Sequence, residues 1–180
     1  LTGSVTSHWF GSYVLDEDGE QQNFNRAQVV LDYREFVTAP WSANHVWAFN
    51  VTAGVSVGDQ LQYGSFILGG NYGETPWLNV PSEWKSLRGF PIAADRGDGF
   101  YKGSVEYRFP IARLDRGWRT APVFFKTLHG ATFVDVGDAF FTVDQAAIPR
   151  VGAGAELRMT VIAGWGASVN ARLGYAVAVV

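Results

Sequence analysis

The chain has 180 residues, enough for one domain with a sizeable core, and a formal net charge of −3 at pH 7. Hydrophobic residues make up 47% of it and aromatic residues 15%, but only 17% are charged, which is charge-poor for a soluble domain. There is no basic tract, which argues against a nucleic-acid partner, and the absence of cysteine excludes disulfides and thiolate metal sites.

Alternating apolar and polar residues between turn signals predict strands and almost no helix. Turn signals such as DEDGEQQN (16–23), APWS (39–42) and GWG (164–166) separate the alternating segments. Because the links are short, an antiparallel meander is the natural topology. We predict eight strands, at 5–15, 25–37, 44–57, 60–69, 100–111, 122–136, 150–162 and 168–179.

One connection departs from this pattern. Residues 70–99 are rich in glycine, proline, tryptophan and charge, and they separate the fourth and fifth predicted strands. Connections of this length inside a compact domain usually carry a function of their own. We therefore expect the 70–99 segment to be a functional loop.

In the alternating segments the charges fall on one of the two strand faces. Between 154 and 161, for example, Glu156 and Arg158 alternate with Leu157 and Met159. A strand of this kind separates water from an apolar medium, which is either a protein core or a membrane. The alternating runs are nine or more residues long, enough for a tilted strand to cross a bilayer.

A soluble ligand-binding β-barrel alternates in the same way, with its apolar face turned inward. Three features favour a membrane instead. The apolar faces are rich in alanine and valine, and the polar faces use arginine and glutamate with almost no lysine. Aromatic residues also gather at strand ends, at Tyr13, Trp41, Trp118 and Trp165. We predict an all-β fold, an antiparallel transmembrane β-barrel in a bacterial outer membrane, with lipid as its surroundings.

Three motifs carry a family resemblance: LRGFP at 87–91, VEYRF at 105–109 and FVDVG at 133–137. In this order they resemble the barrel of the BamA/TamA-type outer-membrane insertase and translocase superfamily, also called bacterial surface antigen barrels. The resemblance covers about residues 84–180. It implies that the long loop folds into the barrel lumen and presents a tip of Arg88, Gly89 and Phe90. It also implies that Arg88 pairs with Glu106 and Asp135 on the next two strands.

The physical chemistry of such a pairing is independent of the family. A guanidinium in a narrow lumen is costly unless it is bonded, and a carboxylate satisfies it through two parallel hydrogen bonds. Gly89 allows a tight turn at the tip, and Phe90 is suited to pack against lumen side chains. In the alternative, Arg88 is a surface residue, Glu106 pairs with nearby arginines, and Asp135 is only a strand-end turn residue.

The loop also bears on the size of the barrel. An eight-stranded barrel is filled by its own side chains and leaves no space for a thirty-residue loop. The resemblance implies a barrel of sixteen strands, in which the eight predicted here correspond to the eighth to fifteenth. We therefore expect residues 1–180 to be a partial transmembrane β-barrel domain, with the lumen loop at 70–99.

The resemblance implies a protein that assists assembly or passage of polypeptides across the outer membrane. Its partners would be unfolded polypeptides and periplasmic or membrane assembly subunits. We expect no enzyme activity, cofactor or metal, because His8, His45 and His129 lack metal-ligand spacing and no nucleophile motif is present. The alternatives are a small structural or pore-forming barrel, a soluble ligand-binding barrel, and a lipid-modifying enzyme.

Overall fold

A computed structural model describes the backbone of residues 2–15, 21–42, 44–58, 66–70, 86–141, 149–164 and 166–179, and the side chains from residue 25 onward. Residues 71–85 of the predicted long loop lie outside this part, as does Trp165.

The described chain folds into nine strands and no helix. They are β1 (Thr2–Leu15), β2 (Gln21–Thr38), β3 (Val46–Gly58), β4 (Phe66–Leu68), β5 (Asp95–Gly97), β6 (Gly99–Gly117), β7 (Val123–Phe140), β8 (Arg150–Ala163) and β9 (Ala167–Ala178). No helix in the described ranges is long and apolar enough to cross a membrane.

Seven of the strands form one antiparallel sheet in the order β1-β2-β3-β6-β7-β8-β9. Each neighbour in this sheet is the next long strand along the chain, so the topology is a meander. β4 and β5 pair only with each other and form a two-stranded ribbon. The predicted all-β, antiparallel class is therefore confirmed.

The prediction that residues 60–69 form the fourth strand of the meander is wrong. Residues 60–65 lie outside the described part, and Phe66–Leu68 pairs with β5 while β3 pairs directly with β6. Phe66 and Leu68 are buried on one side of the ribbon. A short ribbon packed on a sheet has the same alternation as a strand within it, so periodicity cannot separate the two.

The two faces of the sheet have opposite characters. The polar face holds the buried side chains of Arg26, Gln28, Thr52, Lys102, Glu106, Asp135 and Glu156. The opposite, apolar face holds the exposed side chains of Val29, Leu31, Tyr33, Phe49, Val51, Val55, Val57, Val105, Val134, Leu157, Val169, Leu173, Tyr175 and Val177. This is the inverse of a water-soluble sheet, which packs its apolar face inward.

A small hydrophobic core lies on the polar face, beneath the chain that connects β3 to β6. Its buried members are Val30, Phe66, Leu68, Leu87, Phe100 and Ala139. The rings of Phe66 and Phe100 lie 4.5 Å apart, centroid to centroid. Gly54 gives them space, because a Cβ at that position would come 2.5 Å from the Phe100 ring. This core fixes the connection against the sheet.

Neighbouring strands are displaced along their axes in one direction across the sheet. At the end that carries the long connection, β2 extends five residues (21–25) beyond the end of β3, β3 extends three (56–58) beyond the start of β6, and β7 extends three (138–140) beyond the start of β8. A stagger of constant direction accompanies the strand tilt that curls a sheet toward a barrel. β1 and β9 do not pair with each other in the described chain, so the sheet is open.

Candidate functional site

The connection between β3 and β6 reaches the middle of the polar face at residues 87–90. Leu87 forms an isolated bridge with Gly70 and its side chain is fully buried. The chain then turns at Gly89, whose φ of +97° is in the left-handed region that favours glycine. The turn directs Arg88 toward strands β6, β7 and β8.

Arg88 makes its principal contact with Asp135 on β7. Its Nε donates to Oδ2 at 2.7 Å and its Nη2 donates to Oδ1 at 2.7 Å, a bidentate pair. The Arg88 backbone N–H also donates to Oδ2, at 3.3 Å. Asp135 has no exposed surface, and the Ser104 hydroxyl donates to its Oδ1 at 2.6 Å. A fully buried carboxylate is thus satisfied on both oxygens.

Two glutamates complete the coordination of the same guanidinium. Nη1 of Arg88 donates to Glu106 Oε2 at 3.2 Å and to Glu156 Oε1 at 3.3 Å. The guanidinium carbon lies 3.4 Å from the centroid of the Phe133 ring, in a cation–π contact. We call Arg88, Ser104, Glu106, Asp135 and Glu156 the Arg88 cluster.

Three further arginines surround the Arg88 cluster. Arg108 donates from Nε to Glu106 at 2.6 Å, and Nη2 of Arg158 lies 2.8 Å from both Glu106 and Glu156. Arg172 on β9 lies 3.7 Å from Glu156. Four arginines thus surround three carboxylates. Their ion pairs connect strands β6, β7, β8 and β9 with one another and with the loop.

The electrostatics favour a permanently charged guanidinium. Burial by itself lowers the pKa of Arg88, but the hydrogen bonds to Asp135 and the charges of Asp135, Glu106 and Glu156 raise that pKa above its ordinary value. Arg88 is therefore a fixed positive charge rather than a proton donor, which suits a structural contact better than catalysis.

Close backbone approach gives the tip its position. A Cβ on Gly152 would collide with the carbonyl oxygen of Arg88, and one on Gly89 would come 2.7 Å from the carbonyl oxygen of Val177. Phe90 packs against the edge of the small core, and the guanidinium of Arg150 lies 5.9 Å from its ring centroid. Glycine at these two positions thus lets the loop backbone lie directly against the backbones of β8 and β9.

The structure brings the predicted residues Arg88, Glu106 and Asp135 together, with Gly89 and Phe90 at the adjoining turn. Glu106 also pairs with Arg108 and Arg158, so the pairing weighed as an alternative exists beside the contact with Arg88. Asp135 lies inside β7 rather than at a strand-end turn.

Sequence reasoning did not single out Glu156, Ser104 or Phe133 as contacts of Arg88. Glu156 had a usable signal, because it shares the polar face with Arg158 in the alternating β8 segment. The cross-strand positions of Ser104 and Phe133 follow from the register of β6 with β7, which the sequence does not specify.

Clefts of about 370 and 350 Å³ adjoin the loop tip on its two sides. The first is lined by Phe133, Arg172 and Tyr175, and the second by Asn50, Arg108 and Arg158, among others. Within the described ranges, no group of three or more histidine, aspartate or glutamate side chains is placed to hold a metal ion. The arrangement is suited to holding a segment in place by charge.

Comparison with known proteins gives no assignment. No protein-family model matches the chain, and no curated protein matches it.

A double-mutant cycle tests the pairing of Arg88 with Asp135. Arg88→Ala leaves buried carboxylates without their shared cation, and such a loss typically costs about 3–5 kcal/mol. Arg88→Ala/Asp135→Ala removes one of these carboxylates as well, so its loss of unfolding free energy should be smaller than the sum of the two single losses. The measurement is chemical unfolding of the four proteins, followed by tryptophan fluorescence.

The control cycle uses Arg113 and Asp115, an exposed pair 3.9 Å apart, whose coupling should be below about 1 kcal/mol. The contact would be contradicted if the losses of unfolding free energy at Arg88 and Asp135 simply add, with a coupling energy as small as that of the control pair.

Gly152→Ala tests the close approach of the loop to β8. The added methyl group meets the Arg88 carbonyl, so the loop should be displaced at a cost of about 1–3 kcal/mol. Trypsin then provides the measurement, because displacement exposes the Arg88–Gly89 bond and should raise its rate of cleavage, read by mass spectrometry.

The matched variant is Gly117→Ala, whose added Cβ would have its nearest neighbour at 3.8 Å. It should leave cleavage after Arg88 unchanged. Equal cleavage rates in the Gly152 and Gly117 variants would show that the loop does not sit against β8.

Proposed function

We propose that this chain forms part of an outer-membrane β-barrel of the BamA/TamA-type superfamily, which assists assembly or passage of polypeptides across the outer membrane. The polar face would line the lumen and the apolar face would contact lipid. The loop that carries Arg88 would fold into the lumen and hold the barrel in its working conformation.

The single observation that carries the membrane assignment is the inverted sheet. Buried charges lie on one face, while large apolar side chains such as Leu173 (74% exposed) and Tyr175 (76%) cover the other. Exposed apolar surface of this extent on a soluble monomer marks an interaction site. In a membrane barrel the same division is required, because lipid contacts one face of every strand.

An aromatic group at the short-turn end of the sheet supports the same assignment. Trp47, Tyr107 and Phe109 pack on or beside one another, with centroids 4.7 Å (Trp47–Tyr107) and 5.8 Å (Tyr107–Phe109) apart. The indole N–H of Trp41 donates to the Tyr107 hydroxyl at 3.0 Å, and His45 Nδ1 lies 2.6 Å from that oxygen. Rings with apolar bodies and bonded polar tips suit a membrane–water interface.

Two further observations support a barrel larger than this sheet. The stagger has one direction from β2 to β8, as a tilted barrel wall requires. β1 and β9 leave long edges of 14 and 12 residues. Long open edges are an aggregation hazard, so further strands are expected to cover them.

The insertase or translocase role rests on the resemblance together with the Arg88 cluster. The three motifs that carry the resemblance contribute Arg88, Glu106 and Asp135, which converge in one ion-pair network. A loop fixed in the lumen by four bonded strands would stiffen this half of the wall. Rearrangement would then be confined to strands outside the cluster, where a polypeptide could be handled.

Spin-label accessibility tests the membrane assignment. The chain has no cysteine, so single cysteines at Val51, Val134 and Leu157 on the apolar face can be labelled without other changes. In lipid vesicles these labels should collide more often with dissolved oxygen than with a water-soluble nickel chelate, because oxygen concentrates in hydrocarbon. A label at the exposed Arg113 should show the reverse order.

A nickel preference at Val51, Val134 and Leu157 would mean that the apolar face meets water. Low collision rates with both reagents would mean that it is covered by protein, as in a soluble barrel.

A reconstitution assay tests the polypeptide role. Vesicles that contain the protein should raise the folding rate of a urea-unfolded outer-membrane porin above the rate in empty vesicles. Arg88→Gln should reduce this gain, because the loop loses its charge contact with Asp135. Folding is followed by protease resistance and gel mobility, and Arg96→Gln, an exposed change on strand β5, serves as the matched control.

No gain over empty vesicles would contradict an insertase role. Ion conductance without any gain in porin folding would favour the pore-forming alternative.

A further inference from the structure

Positive charge is concentrated at the tip of the β6–β7 hairpin. Residues 112–126 contain four cations, Arg113, Arg116, Arg119 and Lys126, and one anion, Asp115, whereas the whole chain has a net charge of −3. Asp115 lies beside Arg113, at 3.9 Å. In the described part of the chain, neither Arg116 nor Arg119 forms an ion pair with a carboxylate.

Strand register places part of this charge on the apolar face. Register shifts occur between Arg113 and Arg116 on β6 and between Phe125 and Thr127 on β7. After these shifts Arg116 pairs with Phe125, and Phe125 pairs with Val161. Residues directly opposite in neighbouring strands share a face, so Arg116 and Phe125 lie on the face that Val161 shares with the apolar β8 side chains.

Arg116 and Phe125 border a cleft of about 470 Å³ that is also lined by Gly117, Trp118 and Arg119. The rings of Trp118 and Phe125 lie 6.2 Å apart, and Trp118 is 60% exposed. The turn is fixed by hydrogen bonds from Trp118 N to Val123 O (2.9 Å) and from Ala121 N to Trp118 O (3.0 Å). Two guanidiniums and two aromatic rings are thus held around one opening.

We propose that this cleft binds the phosphate headgroup of an anionic phospholipid in the leaflet at the short-turn end. Guanidinium groups bind phosphate oxygens through paired hydrogen bonds, and basic residues near a membrane favour anionic lipid. The aromatic rings and the adjoining apolar face suit the glycerol and acyl portion, which a free phosphate lacks. This inference rests on the proposed membrane function, since the cleft opens at the border of the face assigned to lipid.

Tryptophan quenching by brominated lipid tests the site. The protein is placed in phosphatidylcholine nanodiscs that contain either brominated phosphatidylglycerol or brominated phosphatidylcholine. The contribution of Trp118 is the difference between the unchanged protein and Trp118→Phe. We expect stronger quenching of Trp118 by the anionic lipid, with the preference falling about fivefold for each arginine removed in Arg116→Gln and Arg119→Gln.

Arg96→Gln, at the opposite end of the sheet, is the matched control and should keep the full preference. Equal quenching of Trp118 by the two lipids would overturn the headgroup site while leaving the membrane assignment intact. A preference abolished by excess inorganic phosphate would also overturn it, in favour of a free-phosphate site. If brominated phosphatidylcholine quenches no tryptophan, the membrane assignment fails and the headgroup site fails with it.

Discussion

The burial of one guanidinium among three carboxylates is the interaction on which the polar face of this sheet depends. Arg88 reaches Asp135 through two hydrogen bonds of 2.7 Å and Glu106 and Glu156 at 3.2 and 3.3 Å. Each of these charged groups would be costly to bury alone. Their ion pairs offset that desolvation cost, because every buried charge has a partner of opposite sign. The loop therefore has one favourable position on the sheet, and the small core around Leu87 stabilises it there.

The Arg88 cluster and the apolar face are two consequences of the same strand periodicity. A strand that directs Glu156 toward Arg88 must direct Leu157 to the opposite side. When charges occupy the covered face, the apolar residues are left on the uncovered one. This division is the physical basis for the proposal that the apolar face contacts lipid, and the cleft at Arg116 marks where apolar character gives way to charge.

Much of the fold was predictable from periodicity, since seven long strands and their antiparallel order follow from alternation and turn signals. The Arg88–Glu106–Asp135 contact was expected from the family resemblance that three short motifs carry, and periodicity alone placed only the two carboxylates on the polar face. The alternation of β8 placed Glu156 on the polar face, but its contact with Arg88 was missed because it also depends on the register of β8 against β7, which local patterns do not encode. The β4–β5 ribbon was misassigned because three residues that alternate resemble a fragment of a longer strand. Membrane location and the insertase role remain predictions.

The most direct test of the account is a measurement of the Arg88–Asp135 contact in a bilayer. Magic-angle-spinning NMR of the protein in lipid vesicles, with ¹⁵N in arginine side chains and ¹³C in aspartate carboxyl groups, reports this distance. A measurable ¹⁵N–¹³C dipolar coupling that disappears in Asp135→Asn is the result expected from N···O hydrogen bonds of 2.7 Å. A spectrum without that coupling, with the Arg88 guanidinium in contact with bulk water, would contradict the account.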